Sequence, residues 1–113
     1  MAGTPPPNSD VADLVALLGK DNVRMLIETF LREYPRLIQQ LTDADRSTRH
    51  RLVHSLKSNA RVIGARALSA QMAEFELRLA DEKAPDLDGM DLAVIRIGFD
   101  QVAAPLRTYA EQD

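Results

Sequence analysis

The sequence predicts an all-α fold, an antiparallel four-helix bundle with a short additional N-terminal helix. Apolar residues recur at steps of three and four through four long segments, which is the period of one helix face. No segment of useful length alternates at period two, and leucine and alanine, which favour helix, dominate the composition. Four apolar stripes that face inward bury one another, so we expect one bundle domain.

The first two helices are predicted from their end signals. A short helix, "VADLVALLG", should be capped by Ser9 or Asp10 and should end at Gly19. Asp21 is predicted to cap the second helix. Pro35 lies inside that helix and should kink it, because its ring removes one backbone hydrogen bond.

Three further helices follow the turn at residues 42–45. Asp45 is the predicted N-cap of the third helix, and Gly64 should end it; the fourth helix follows at once. A loop at 81–89 leads to the fifth helix, which Pro105 should bend near its end. The predicted core positions are Val23, Leu26, Ile27, Phe30, Tyr34, Leu37, Ile38, Leu41, Leu52, Val53, Leu56, Ala60, Ile63, Leu68, Met72, Phe75, Leu79, Leu92, Ile95, Phe99, Val102, Leu106 and Tyr109.

Composition bounds the class of protein. Residues 1–9, with three prolines, are expected to be a disordered lead, and residues 10–112 the bundle domain. The chain starts without a basic, apolar signal peptide and has no apolar run of the roughly 20 residues that span a bilayer, so we expect a cytoplasmic protein. It has no cysteine, which excludes disulfides and thiolate metal sites. A net charge of −3 gives no reason to expect nucleic-acid binding, and we expect a monomer.

One basic stretch stands out. Residues 46–66 contain no acidic residue, both histidines of the chain and six cations, namely Arg46, Arg49, Arg51, Lys57, Arg61 and Arg66. Such a run is usually a solvated helix face. Its coincidence with both histidines makes it the candidate site.

Helix geometry places His54 outside the core. At about 100° per residue, Leu56 lies roughly 160° and Ala60 about 120° from His54 around the axis. If those two residues face the core, His54 faces solvent. Its neighbours on that face, within about 40° to 60°, are His50, Arg51, Lys57, Ser58 and Arg61.

Three functions can be compared for an exposed helical histidine. His50 and His54 have a spacing that can chelate zinc, but the adjacent cations would repel a metal, so we expect no metal site. A general base in a hydrolase would need a nucleophile and a cleft, for which the sequence shows no signal. Phosphoryl acceptance fits every feature: an exposed imidazole is a nucleophile, Lys57 can neutralise phosphoryl oxygens, and the small Ser58 leaves room for a donor.

The same residues carry a family resemblance. His54-Ser55-Leu56-Lys57, followed by Gly64, Leu68 and Glu76, resembles the histidine-containing phosphotransfer (HPt) domains of bacterial phosphorelays. The order "EYPRLIQQL" and then "RLVHSLKS" is similar to the second and third helices of that family. The resemblance extends over roughly residues 10 to 110.

The resemblance implies roles for individual residues. His54 would be the phosphoacceptor through Nε2, and Lys57 would stabilise the phosphoryl group. Glu76 would accept a hydrogen bond from the other imidazole nitrogen, although a solvated surface acid is an equally good interpretation. Gly64 would be structural. Residues His50, Arg51, Ser58 and Arg61 would form the partner-binding surface, and Ser58 departs from the glycine that the family usually has there.

The resemblance also implies partners. The chain would accept a phosphoryl group from a receiver-domain aspartyl phosphate and pass it to another response-regulator receiver, with a hybrid histidine kinase as a further partner. It would hold no cofactor of its own, since Mg²⁺ belongs to the receiver. No glycine-rich nucleotide loop is present, so ATP binding is not expected. The alternative is a non-catalytic HPt-like module that docks receivers or kinases without carrying phosphate.

Overall fold

A computed structural model describes residues 4–112, which form five α-helices and no β-strand. The helices are α1 (Ser9–Leu18), α2 (Lys20–Asp43), α3 (Arg46–Val62), α4 (Arg66–Ala80) and α5 (Gly89–Ala110). Helices α2 to α5 form the bundle, and α1 packs on α2. The predicted all-α bundle with an additional N-terminal helix is therefore confirmed. No helix within residues 4–112 has the length and apolar character needed to cross a membrane.

The start of α1 differs from the prediction. Asn8, not Ser9 or Asp10, is the N-cap, and its Oδ1 accepts a hydrogen bond from the Val11 amide at 2.8 Å. The Asn8 amide group also donates to the Ile63 carbonyl at 3.1 Å. Asparagine caps as well as serine or aspartate does, and the contact with Ile63 gives Asn8 a second role that the two alternatives lack.

The start of α2 also differs from the prediction. Asp21 lies in the first turn rather than at the cap, because α1 ends and α2 begins around the single residue Gly19. Gly19 has a φ of +86°, a conformation that glycine adopts without steric cost. Because only Gly19 separates the two helices, Asp21 already lies inside α2 and cannot be its N-cap.

The folded part begins before residue 10, the predicted boundary. Residues 1–3 of the predicted disordered lead lie outside the described residues. Asn8 caps α1, and Ser9 is its first residue. The Thr4 amide donates to Gln112 Oε1 at 2.8 Å, which joins the first described residue to the last.

The remaining end signals follow the sequence more closely. Asp45 caps α3 as predicted, and its side chain accepts from the Thr48 amide at 2.8 Å. Gly64 follows the end of α3 with a φ of +76°. Pro35 and Pro105 lie inside α2 and α5, and both helices continue past them. The kinks expected at these prolines remain predictions.

The core is built from one face of each helix. Most predicted core residues are buried, and the rings of Phe30, Tyr34 and Phe99 form an aromatic centre with centroids 4.8 to 5.8 Å apart. Five predicted core residues lie at its edge instead: Leu26 is exposed, and Leu37, Leu52, Phe75 and Val102 are partly buried. In α5 the buried stripe passes through Ala103, which fits between Phe99 and Leu106 at steps of four and three.

Two arginines of the basic stretch are structural. Arg46 donates to the carbonyls of Arg78, Leu79, Asp81 and Ala84 at 2.7 to 3.2 Å, so it holds the end of α4 and the following loop. Arg49 donates to the carbonyls of Leu41, Thr42 and Leu87 and forms an ion pair with Asp86 at 3.3 Å. These guanidinium groups join the loop before α5 to the first turn of α3.

Two glycine variants test the turn between α3 and α4. A Cβ atom at Gly64 would lie 2.7 Å from Asn8 Cγ, whereas one at Gly19 would meet no atom within 4 Å. Both glycines have a positive φ, but Gly19, at φ +86° and ψ 155°, lies in a region that essentially only glycine adopts, so the two alanine variants carry different backbone strain. Each variant is therefore compared with its own cost in an Asn8→Ala background. We expect Gly64→Ala to lower the free energy of unfolding by about 1 kcal/mol more in the wild type than in that background, because it displaces the Asn8 cap, and Gly19→Ala to cost the same in both.

Denaturant unfolding of both variants measures this difference. In an Asn8→Ala background the extra cost of Gly64→Ala should disappear, because the obstructing side chain is gone. A loss of stability for Gly64→Ala that is the same in the wild-type and Asn8→Ala backgrounds would contradict the proposed contact.

Candidate functional site

His54 projects from the second half of α3 into solvent. The Asp45 cap sets where the helix begins, and the buried residues Val53, Leu56 and Ala60 fix its rotation against the bundle. With these positions inside, the His54 side chain is 60 % exposed. The orientation predicted from helix geometry is therefore observed.

Glu76, on α4, joins His54 to Lys57. One carboxylate oxygen, Oε2, lies 2.5 Å from His54 Nδ1, and the other, Oε1, lies 2.5 Å from Lys57 Nζ. The Glu76 side chain is 18 % exposed and that of Lys57 29 %, so this carboxylate is not a freely solvated surface acid. Of the two interpretations of Glu76, the geometry favours the imidazole contact.

The charge on Glu76 follows from these contacts. The hydrogen bond from Lys57 lowers the pKa of Glu76, partial burial opposes that effect, and the hydrogen bond with His54 lowers the pKa further. The carboxylate is therefore ionised near neutral pH and can only accept hydrogen bonds. In a neutral ring, an accepting partner at Nδ1 places the proton on Nδ1 and leaves the lone pair on Nε2. Among residues 4–112, no group forms a hydrogen bond with Nε2.

The predicted partner-binding residues are distributed around His54. Ser58 and Arg61 are exposed and line a shallow groove between α3 and α4, together with Lys57, Arg66, Ser69, Ala70 and Ala73. Arg51 is exposed and contacts Thr48 on its own helix. His50 is half-buried. The groove therefore places small and cationic side chains beside the imidazole.

Arg66 is a groove residue that the sequence interpretation did not assign to the partner surface. Its guanidinium forms an ion pair with Asp10 of α1, with Nε 3.0 Å from Oδ2. The hydrogen bond from Arg66 lowers the pKa of Asp10. The only available signal was the opposite charge of two residues 56 positions apart, which does not predict a contact.

Metal binding gains no support from this geometry. Within the described part of the chain, no group of three or more His, Asp or Glu side chains could hold a metal ion. Instead, His54 Nδ1 is engaged by Glu76. The site can therefore present Nε2 as a nucleophile beside a cation and a half-buried carboxylate.

Replacing Glu76 should change stability in a pH-dependent way. Because the pKa of Glu76 is lowered in the folded protein, its ion pairs stabilise the fold above the unfolded-state pKa, and that stabilisation is lost as the pH falls through the folded-state pKa. We expect Glu76→Gln to lower the free energy of unfolding at about pH 7, with the difference from wild type shrinking towards about pH 3.

Glu74→Gln is the matched control, because Glu74 is exposed on the same helix. Urea unfolding of the three proteins across this pH range gives the comparison. A Glu76→Gln effect that stays constant with pH, or that Glu74→Gln reproduces, would show that the ion pairs of Glu76 do not stabilise the fold.

Comparison with known proteins adds a family assignment. No curated protein and no solved structure matches the chain. The family model described as the Hpt domain matches residues 25–105, which is more than half of the chain and includes His54, Lys57 and Glu76. The chain therefore belongs to the Hpt domain family, whose role is histidine phosphotransfer in phosphorelays.

Proposed function

We propose that this protein is a phosphoryl carrier that accepts a phosphoryl group on His54 from a receiver-domain aspartyl phosphate and passes it to an aspartate of another receiver. The observation that supports this most directly is the exposed imidazole whose Nδ1 is engaged by Glu76 at 2.5 Å. When the imidazole is neutral, this contact keeps the proton on Nδ1 and leaves Nε2 as the nucleophilic nitrogen.

The proposed reaction is a reversible displacement at phosphorus. The Nε2 lone pair of His54 attacks the phosphorus atom, an N–P bond forms, and the bond between phosphorus and the aspartyl oxygen breaks. The electron pair leaves with the aspartate carboxylate, and the proton on Nδ1 stays where it is. Transfer to the next receiver runs the same steps in reverse, with an aspartate oxygen as the nucleophile.

Glu76 acts on the charge that this reaction creates. Attack by Nε2 turns a neutral imidazole that holds a proton on Nδ1 into a cationic phosphoimidazolium ring. The Glu76 carboxylate already lies 2.5 Å from that proton, so it stabilises the developing positive charge without moving. Its low exposure strengthens the interaction relative to one in open water.

Lys57 has two roles in this proposal. Its hydrogen bond to Oε1 holds the Glu76 carboxylate in an orientation that reaches His54. Its ammonium group also lies on the same side of α3, one turn after His54, where it can offset the negative charge of the incoming phosphoryl oxygens.

The partner surface is proposed from charge and shape. A receiver brings an acidic pocket, with Mg²⁺ bound to the receiver rather than to this chain. Arg51 and Arg61 are exposed near His54 and suit such a partner electrostatically. The Ser58 side chain is exposed one turn beyond His54 on the same side of α3, so its size should limit which receivers fit. His50 would lie at the edge of this surface.

Phosphoryl acceptance should depend on His54 and not on His50. We expect His54→Gln to abolish labelling by a radiolabelled phosphorylated receiver, because it removes the nucleophilic nitrogen. His50→Gln should retain most of the labelling, since of the two histidines only His54 contacts Glu76, the carboxylate that Lys57 also binds. The label should be acid-labile and base-stable, and circular dichroism should show intact folding of both variants.

Two outcomes would contradict this assignment. Labelling that is lost in His50→Gln but kept in His54→Gln would mean that the wrong histidine has been chosen. A wild-type protein that binds receivers and never becomes labelled would instead be the non-catalytic docking module.

Single-turnover kinetics should distinguish variants that slow the chemical step from variants that weaken docking. Lys57→Ala is expected to lower the transfer rate at saturating receiver roughly ten- to a hundredfold, the value of a charge-assisted contact made in the transition state. Ser58→Phe should instead raise the half-saturating receiver concentration, because a bulky ring obstructs docking. Ser58→Gly should leave both the transfer rate and the half-saturating concentration unchanged. Normal saturation by Ser58→Phe would show that partners do not dock over this face.

A further inference from the structure

Two side-chain hydroxyl groups hold α3 at the turn that follows His54. From α2, the Tyr34 hydroxyl donates to the Leu56 carbonyl at 3.0 Å. From α4, on another side of the helix, the Ser69 hydroxyl donates to the Lys57 carbonyl at 3.0 Å. These are consecutive carbonyls, two and three residues after His54. Helical carbonyls already accept from the amide four residues later, so both hydroxyl bonds are additional to the helix.

The Tyr34 hydroxyl is held firmly in place. Its side chain is 1 % exposed, and its ring stacks on Phe99 at 5.2 Å with an interplanar angle of 8°. Phe30 packs on the same ring, with centroids 4.8 Å apart. Burial raises the pKa of Tyr34, so the hydroxyl keeps its proton and remains a donor. The bond to Leu56 therefore ties α3 to the aromatic centre of the core.

Ser69 constrains the helix that carries Glu76. The two residues are seven positions apart on α4, so they lie within about 20° of each other around its axis and about 10.5 Å apart along it. Ser69 contacts the main chain of Lys57, and Glu76 contacts its side chain. The serine bond and the carboxylate contacts all join α4 to the same part of α3, so a displacement of α4 along α3 would change all of them together.

We propose that Tyr34 and Ser69 are positioning residues that keep the His54 imidazole in hydrogen-bond contact with Glu76 and so favour the reactive state of Nε2. The inference rests on the proposed phosphotransfer function for its kinetic consequence. It does not require Tyr34 or Ser69 to touch the phosphoryl group or the partner. The contact that they maintain can be observed in the unphosphorylated protein.

The first test reads the tautomer of His54 directly. In alkaline buffer, imidazole ¹⁵N chemical shifts should show the proton on Nδ1 in the wild type. Tyr34→Phe and Ser69→Ala each remove one hydroxyl, and we expect both to produce a mixture of tautomers. Thr108→Ala removes a hydroxyl bond within a single helix, to the Ala104 carbonyl in α5, and should leave the spectrum unchanged. Tyr109→Phe is the control for removing a hydroxyl from a buried tyrosine in α5.

The second test asks whether the kinetic effect passes through Glu76. We expect Ser69→Ala and Tyr34→Phe each to slow transfer at saturating receiver at least about threefold, which corresponds to a partial loss of one hydrogen bond. In a Glu76→Ala background the same changes should have no further effect on the rate. Ser69→Thr, which keeps the hydroxyl, should retain the wild-type tautomer and the wild-type transfer rate.

The possible results distinguish a failure of the positioning role from a failure of the proposed function. Unchanged ¹⁵N shifts in both variants, or equal changes in the two control variants, would overturn the positioning role even if transfer on His54 is normal. Additive rate losses in the Glu76→Ala background would also overturn it. Conversely, absence of transfer in the wild type would remove the proposed function, while the tautomer measurement would still decide whether Tyr34 and Ser69 hold the imidazole.

Discussion

The position of α4 along α3 is the constraint on which the site depends. His54 and Glu76 are 22 residues apart, and they meet because only residues 63–65 join the two helices. The left-handed conformation of Gly64 reverses the chain, and the Ala65 amide bonds back to the Ala60 carbonyl at 2.9 Å. A connection this short leaves α4 little freedom to slide. The turn, far from the imidazole, thus determines whether the carboxylate can reach it.

Local sequence signals predicted the elements that depend on the chain itself. The helical periods, the Asp45 cap and the outward direction of His54 all follow from spacing along one helix, and all three are observed. Contacts between distant segments were not predictable in this way. Asn8 was missed as a cap because Ser9 and Asp10 give the same local signal, and the contact that distinguishes Asn8, with Ile63, lies 55 residues away. The Ser69 hydroxyl was missed for the same reason, since nothing in its neighbourhood along the chain identifies its acceptor.

The cations of the basic stretch have different roles in the folded protein. Six cations between residues 46 and 66 suggested a single basic face. Arg46 and Arg49 instead bind carbonyls of the helix ends and loop around α3, and Arg66 pairs with Asp10. Arg51 and Arg61 remain exposed near His54. The charge available to a partner is therefore smaller than the count of cations indicates, and it is concentrated beside the imidazole.

The contact between Glu76 and Nδ1 suits both directions of the proposed reaction. During acceptance, a proton held on Nδ1 leaves the lone pair on Nε2 and lets the carboxylate stabilise the cationic phosphoimidazolium ring. During donation, the same proton allows the ring to depart as neutral imidazole, a far better leaving group than imidazolate. A carrier must perform both steps with similar ease. One carboxylate, held by Lys57 and by the register of α4, meets both requirements without a change of conformation.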